Sequence, residues 1–351
     1  MSAAVTNLWI SLCLIGGVAS AVGCHAPLSN DDLLFLMLLP RDLEVEVPTT
    51  NASALSDVRA SASAIATTSA ASTASAQSNL SDEPRPSAKY YIDARESAER
   101  VNRDVLSPLD IIDRIAQIEP TLREEDRRTW GPIPAENGSL LLSIERVYTS
   151  TVFEGTSTST AVAVDQFYRY SIVAAPRGVE TWTAILWGVF APVEAPDQGL
   201  GVLYVDLSAV RLVDPSSTDE GVYITAYDTR PNQRTLEVLW SRRSIADPEV
   251  AYRYHRDDLT EQGEFIFVGK DDVDQRGEDE TVVTFARWLA SGPGRADVVI
   301  SGGDLGTYIG WARECWDDAF LRTYFESNLP NTDETLGDVS DCPSPFQSAP
   351  F

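Results

Sequence analysis

Residues 161–174 read AVAVDQFYRYSIVA, and they indicate the fold class because apolar and polar side chains alternate along them. The apolar side chains fall mostly on even positions, namely Val162, Val164, Tyr168, Tyr170 and Ile172. Asp165, Arg169 and Ser171 lie on odd positions. Successive side chains of a β-strand point to opposite faces of its sheet, so this period of two predicts a strand with one buried face.

The same pattern continues on both sides of this stretch. In 201–213 the odd positions include the apolar residues Leu203, Val205, Leu207 and Val213. The stretch 181–190 is apolar on both faces, which predicts a central strand covered on both sides. Further strands are predicted at 221–228, 235–241, 250–256, 264–268, 281–289 and 296–301. About ten strands at short spacing predict a mainly β fold. We expect an antiparallel meander, either a barrel or a strongly curved sheet or sandwich.

Helical patterns precede the strands. Residues 92–128 predict one or two helices, with a break at Pro108 and a second start at Ser107, which suits an N-cap followed by proline. Ile111, Ile112, Ile115 and Ile118 then form one apolar stripe, which needs the sheet as a partner. A short helix is also predicted at 316–327.

Two cysteines lie in the C-terminal part of the chain. Cys315 and Cys342 are predicted to form a disulfide, as expected for a pair of cysteines in an oxidising compartment. A metal site is the competing interpretation, but His255 is the one histidine in the body of the protein. We therefore expect a tail, 312–351, that the disulfide holds to the β-rich part, 139–311.

The N-terminal residues predict the location of the protein. Residues 8–24 form an apolar run that ends in Ala21-Val22-Gly23-Cys24, and this tetrad resembles the lipobox of bacterial lipoproteins. The resemblance implies that 1–23 is a signal peptide and that Cys24 becomes the lipidated (diacylglycerol- and palmitate-bearing) first residue. It also implies attachment to the envelope, with the outer membrane as the expected membrane. An ordinary cleaved signal peptide and an uncleaved anchor are the alternatives.

Composition divides the rest of the chain. Residues 24–48 form the lipidated N-terminal segment, and 49–88 are rich in Ala, Ser and Thr, which predicts a disordered tether. Residues 89–351 form a single globular domain. The 53 acidic and 27 basic residues give a net charge of -26, so nucleic acid is excluded as a partner.

Catalytic motifs are missing from the sequence. It contains no nucleophile elbow, P-loop, C-x-x-C or H-E-x-x-H pattern, so no catalytic residue is assigned. Asp272, Asp274 and Gly277 match positions 1, 3 and 6 of an EF-hand loop, but Arg276 and Val283 occupy positions that need oxygen ligands. A looser calcium site at Asp272, Asp274 and Asp279 is the alternative to a solvated hairpin tip, which we favour; no other cofactor is expected.

Aromatic residues recur on successive strands. They are interpreted either as core or as the lining of a cavity for an apolar ligand, formed by Tyr168, Tyr170, Trp182, Trp187, Tyr252 and Tyr254. We therefore expect a lipid-anchored extracytoplasmic protein with a non-enzymatic binding or surface-structural role. The ligand or protein partner is not identified by the sequence. A half-barrel carrier of lipid or apolar ligands and a carboxylate- or calcium-dependent hydrolase are the alternatives.

Overall fold

The computed structural model describes residues 29, 32, 35, 43–49, 85–153, 156–157, 160–193, 195–217, 220–242, 248–273, 276–329 and 335–348. The predicted signal peptide, Cys24, Asp274 and most of the predicted tether lie outside these residues. Among the described residues, no helix is long and apolar enough to cross a membrane.

The protein is mainly β, which confirms the predicted fold class. Fourteen antiparallel strands form one sheet in which each strand pairs with the next along the chain. Strands β1 and β14 are the two edges, so the sheet is a meander that does not close. The strands are β1 (Leu122–Arg123), β2 (Arg127–Ala135), β3 (Gly138–Phe153), β4 (Val162–Pro176), β5 (Thr183–Val193), β6 (Ala195–Asp206), β7 (Val222–Asp228), β8 (Gln233–Ser241), β9 (Val250–Asp257), β10 (Gln262–Asp271), β11 (Glu280–Trp288), β12 (Gly294–Ser301), β13 (Gly310–Trp316) and β14 (Arg322–Ser327).

An up-and-down sheet has two ends, each formed by alternate connections between its strands. Connections that follow odd-numbered strands, such as the β3–β4 and β9–β10 connections, lie at one end, which we call end A. Connections that follow even-numbered strands, such as β4–β5 and β12–β13, lie at the opposite end, end B.

One long helix, α1 (Lys89–Ala116), packs on the inner face of the sheet. It contacts β3 as well as β10, β11, β12 and β13, so the sheet must curve around it. Its buried side chains recur at intervals of three and four, at Tyr91, Ala94, Ala98, Val101, Val105, Leu109, Ile112 and Ile115. This is the spacing of one helix face. The predicted isoleucine stripe is therefore buried against the sheet, except for Ile118, which lies beyond the helix.

The start of α1 is capped by a residue from β13. The carboxylate of Glu314 accepts the backbone N–H groups of Lys89 (3.0 Å) and Tyr90 (2.6 Å), and Arg322 donates to the same carboxylate at 2.6 Å. Negative charge is favourable at a helix N-terminus because the first N–H groups have no partner within the helix. A cap this distant in sequence explains why the helix start could not be read from neighbouring residues.

Two tyrosine rings of the inner face occupy space that glycines leave open. A Cβ atom at Gly188 would collide with the ring of Tyr170, and one at Gly201 would collide with the ring of Tyr227. The two hydroxyl groups lie 3.4 Å apart. Glycine in a strand often marks a close approach of this kind. Tyrosine rings therefore lie opposite glycines on the inner face, and each ring fills the space that a glycine leaves.

Several predicted element boundaries are wrong. Of the one or two helices predicted, one is present; α1 passes through Pro108, where a break was predicted, and ends at Ala116. The predicted helical range 117–128 instead contains β1 and the start of β2. The predicted helix at 316–327 is the end of β13, a turn and β14. In that turn, Asp317 accepts the N–H groups of Ala319 and Leu321, and this local capping ends the strand.

Two strand predictions also need correction. The strand predicted over 201–213 ends at Asp206, because Asp206 caps a short helix, α2 (Leu207–Val210), by accepting the N–H of Ala209. Strand β5 is not covered on both sides, because Trp187 is 43 % exposed.

Described residues that precede the predicted tether pack on the domain. Asp32 and Phe35 are buried, and residues 43–49, which we call the strap, lie along α1. Asn102 accepts the N–H of Val45 at 2.7 Å and donates to its carbonyl at 3.0 Å. The domain thus includes described residues on both sides of 50–84, although the sequence predicted that it begins at 89.

Candidate functional site

The six aromatic residues predicted to line a cavity do not share one surface. Tyr168, Tyr170, Tyr252 and Tyr254 are buried in the inner-face core, where burial raises the pKa of Tyr170, Tyr252 and Tyr254. Trp187 points to the outer face and stacks on Tyr204, with ring centroids 5.1 Å apart. Trp182 lies exposed in the β4–β5 connection. The tyrosines therefore pack as core, and the tryptophans lie elsewhere.

One carboxylate of the acidic hairpin tip between β10 and β11 stabilises the turn itself. Asp272 accepts the backbone N–H groups of Arg276 (2.9 Å) and Gly277 (3.0 Å), so it caps the turn. Asp279 is exposed, and Asp274 lies outside the described residues. Within the described part of the chain, no three histidine, cysteine or carboxylate residues group as metal ligands. The calcium site stays a prediction.

The predicted disulfide joins Cys315 of β13 to Cys342, with the sulfur atoms 2.07 Å apart. Both cysteines are buried beside Tyr324 on the outer face. The tail continues across this face, where Arg295 donates to the carbonyl of Phe346 at 3.0 Å. The C-terminal residues thus cover the part of the outer face that lies beside Arg287, Arg295 and Cys315.

A charged pair lies under this tail. Arg295 and Asp297 are both nearly fully buried and are joined by a hydrogen bond of 2.7 Å from Nη2 to Oδ1. Arg287 and Arg313 approach the same carboxylate at 3.4 and 3.8 Å. A buried charge requires such partners. The ion pairs therefore explain how the Asp297 carboxylate can be buried, and we assign it no functional role.

A groove lies between the strap and α1, with a volume of about 560 Å³. It opens to solvent, and its polar side chains include Glu46, which binds Arg234 at 2.7 Å and also pairs with Arg256. Asp258 pairs with the same two arginines, so two carboxylates balance two guanidinium groups at this point. We interpret the ion pairs as attachments of the strap.

The outer face carries a continuous apolar row that the sequence analysis did not identify. The residues of this row, which we call the outer row, are cross-strand neighbours contributed by β5 to β13. They are Trp187, Tyr204, Ile224, Leu239, Ala251, Val268, Val283, Val299 and Trp311. Every member is half-buried or exposed. At about 4.8 Å between strands, the row extends for about 38 Å.

A second row beside it contains short runs of apolar residues and pairs of charged residues. Its apolar members are Val189, Val202, Ala226, Ile266 and Phe285. Glu237 and Arg253 interrupt it on β8 and β9, and Asp297 and Arg313 follow on β12 and β13. The guanidinium of Arg313 lies 4.6 Å from the ring of Trp311. An apolar centre with a charged margin is the composition of a protein-binding surface.

The outer row could have been anticipated from the same periodicity that revealed the strands. In β5, β6 and β7 the positions opposite the buried ones are Trp187, Tyr204 and Ile224, where a solvated face would carry polar residues. The apolar residues on both faces of 181–190 predict burial on both sides, but Trp187 of this stretch is exposed. Comparison with protein-family models, with curated proteins and with solved structures finds no match to this chain.

Proposed function

We propose that the chain is a lipid-anchored protein of the bacterial cell envelope that binds a partner protein through its outer sheet face and has no catalytic role. The observation that carries this proposal is the outer row. The outer row extends for about 38 Å across nine strands, and charged residues of the second row, such as Glu237 and Arg253, lie at its margin. A contiguous exposed apolar surface of a few hundred Å² is often an interaction site.

The contrast with the inner face supports a binding surface over a carrier. A carrier needs an apolar cavity between helix and sheet. Here the inner-face positions of β3, β4 and β5, such as Ile144, Tyr170 and Phe190, are buried in the same core cluster as α1. The apolar surface that solvent reaches therefore lies outside.

The envelope location is supported by two features. The Ala21–Cys24 tetrad resembles a lipobox, and the Cys315–Cys342 disulfide suits an oxidising compartment. Replacing Cys24 by Ser should move the protein from the membrane fraction to the soluble fraction. Retention of the Cys24→Ser variant in the membrane fraction would contradict lipid anchoring.

The partner can be sought by photo-crosslinking in the native host. A benzophenone amino acid at Val268 or Val283, on the outer row, should give the same protein adduct. The matched control is Thr281, which lies on the same strand and face as Val283 but one row away. The adduct should disappear when Leu239→Glu is added, provided that the circular dichroism spectrum is unchanged.

Equal adducts from Thr281 and Val283, or no adduct from either row position, would overturn the binding proposal. Because Leu239 is half-exposed, the charge introduced by Leu239→Glu can reach solvent without unfolding the domain. If the variant does unfold, Val268→Lys, with its longer side chain, provides the same test on β10.

A further inference from the structure

The first described residue lies very close to the predicted anchor. Ser29 follows Cys24 by five positions, and five residues span at most about 17 Å even when fully extended. If Cys24 carries lipid, Ser29 is therefore held near the membrane surface. The Ala/Ser/Thr-rich segment 50–84 comes later in the chain and cannot lengthen this connection.

Ser29 belongs to a firmly attached structure. Its hydroxyl accepts the N–H of Asp32 at 3.0 Å, and its own N–H donates to the Asp32 carboxylate at 3.1 Å. That carboxylate is fully buried and also accepts from Arg128 at 2.8 Å and from Arg123 at 3.1 Å. Charge-assisted hydrogen bonds of this kind are stronger than neutral ones.

Phe35 extends the same attachment toward strands β3 and β4. Its ring meets that of Tyr168 edge to face, with centroids 6.0 Å apart. The guanidinium of Arg128 lies 4.7 Å and that of Arg146 lies 5.8 Å from the Phe35 ring. The N-terminal segment is thus fixed beside the β3–β4 hairpin, whose tip is at end A.

Exposed apolar side chains project from this part of end A. The guanidinium of Arg146 also lies 5.2 Å from the ring of Tyr148. Tyr148 is 59 % exposed, and Val152, farther along the same strand, is 65 % exposed. Tyrosine suits the boundary between water and lipid because its ring is apolar and its hydroxyl is polar.

We infer that end A faces the membrane and that the β3–β4 hairpin rests on the lipid surface through Tyr148 and Val152. This inference rests on the proposed lipid anchoring at Cys24. The surface that the hairpin contacts is lipid, because the five residues from Cys24 to Ser29 are too few to hold the hairpin away from the membrane in any conformation. The outer row then lies on the side of a membrane-proximal domain.

The residues that flank 50–84 agree with this arrangement. Tyr91 donates its hydroxyl to the carbonyl of Pro48 at 2.6 Å, and Arg322 donates its N–H to the carbonyl of Pro86 at 2.9 Å. The described residues on both sides of 50–84 are therefore attached to the same domain. Because 50–84 lies between two attached stretches of the chain, it does not separate the domain from the anchor.

The orientation can be tested with single cysteines that carry an environment-sensitive fluorophore. Val152→Cys reports on end A, and Ile309→Cys, at a residue 59 % exposed in the β12–β13 connection, is the matched control at end B. The lipidated full chain is reconstituted into phosphatidylethanolamine–phosphatidylglycerol vesicles. We expect a severalfold rise in emission, and quenching by spin-labelled lipid, at position 152 and neither at position 309.

Two changes in chain length sharpen this test. A twenty-residue Gly/Ser insertion between residues 26 and 27 should abolish the quenching at position 152 while the protein stays on the vesicles. Deletion of residues 52–82 should leave the quenching unchanged. The opposite pair of results would mean that 50–84 is the spacer and would overturn the inference.

The outcomes separate this inference from the proposed function. Mass spectrometry of the N-terminal peptide shows whether Cys24 carries lipid; if it does not, the anchoring proposal fails as well. If the protein is lipidated and bound to vesicles but position 309 is quenched, or both positions are quenched equally, only the orientation is overturned.

Discussion

The inner and outer faces of the sheet differ in what covers them. The inner face is covered by α1 along strands β3 and β10–β13 and carries the large core side chains. The outer face is covered by the disulfide-linked tail beside Arg287, Arg295 and Cys315, and it is open along the outer row. Apolar side chains stabilise the fold only where they are removed from water. The free energy of unfolding should therefore depend on the inner face and on the part of the outer face that the tail covers. The open outer row is apolar without that benefit, which favours a binding role.

Tryptophans on the two faces should differ most in their contribution to stability. Trp316 is 1 % exposed on the inner face and donates to the carbonyl of Gly292 at 3.0 Å, whereas Trp187 is 43 % exposed on the outer face. Trp316→Ala should lower the free energy of unfolding by about 3–5 kcal/mol because it leaves a cavity. Trp187→Ala should cost less than about 1 kcal/mol. Urea unfolding followed by circular dichroism measures both values, and equal losses would contradict the proposed difference between the faces.

The covered part of the outer face should depend on the disulfide. Cys315 and Cys342 lie 27 positions apart, and a bond closing a loop of that length stabilises the fold by roughly 3–4 kcal/mol on the chain-entropy estimate. The Cys315→Ser, Cys342→Ser variant should lose that amount. Adding a reductant to the unsubstituted protein should reproduce the loss, and the reductant should leave the double variant unchanged. A double variant as stable as the unsubstituted protein would mean that the tail contributes nothing to this face.

The attachment of the N-terminal segment should weaken in acid. Burial alone would raise the pKa of Asp32, but hydrogen bonds from Arg123, Ser29 and Arg128 outweigh it and hold the pKa well below the usual range. A depressed carboxyl pKa stabilises the fold above the unfolded value of about 3.9. This contribution is lost as the pH falls from that value toward the folded pKa.

The measurement compares unfolding of the unsubstituted protein and of Asp32→Asn from pH 7 to pH 2.5. We expect a clear difference at pH 7 that shrinks below pH 4. Glu220→Gln is the control, because it removes an exposed ion pair with Arg211 and should change the free energy of unfolding by less than about 1 kcal/mol. If the difference in the free energy of unfolding between Asp32→Asn and the unsubstituted protein stays constant with pH, the charge of Asp32 does not contribute to stability.

Local periodicity predicted most of the sheet because each strand of a meander pairs with its sequence neighbour. The alternation over 161–174 identified β4, and the runs at 235–241 and 250–256 identified β8 and β9. The signal failed where distant contacts decide the structure. The Glu314 cap at the start of α1 lies more than two hundred residues from Lys89 and Tyr90, and β14 is defined by its pairing to β13.

The candidate binding surface was predicted less well for a related reason. Alternation tells which residues share a face, but it does not tell which face is covered. Trp187 and Tyr170 are both aromatic strand residues, and only the position of α1 shows that Tyr170 is core and Trp187 is exposed. The packing of Asp32 was also invisible, because its partners Arg123 and Arg128 lie about ninety residues away.

The smallest expected change in the free energy of unfolding also gives the most direct comparison of the two faces, because the two substitutions are made at adjacent residues of one strand. Val298 of β12 is 1 % exposed on the inner face, and Val299 belongs to the half-exposed outer row. Val298→Thr places a hydroxyl where it lacks water, which costs about 1–3 kcal/mol. Val299→Thr keeps a β-branched side chain whose hydroxyl reaches solvent, so its cost should stay within about 0.5 kcal/mol. If Val299→Thr costs as much as Val298→Thr, the outer row is already buried by another part of the chain and cannot be the surface that receives a partner.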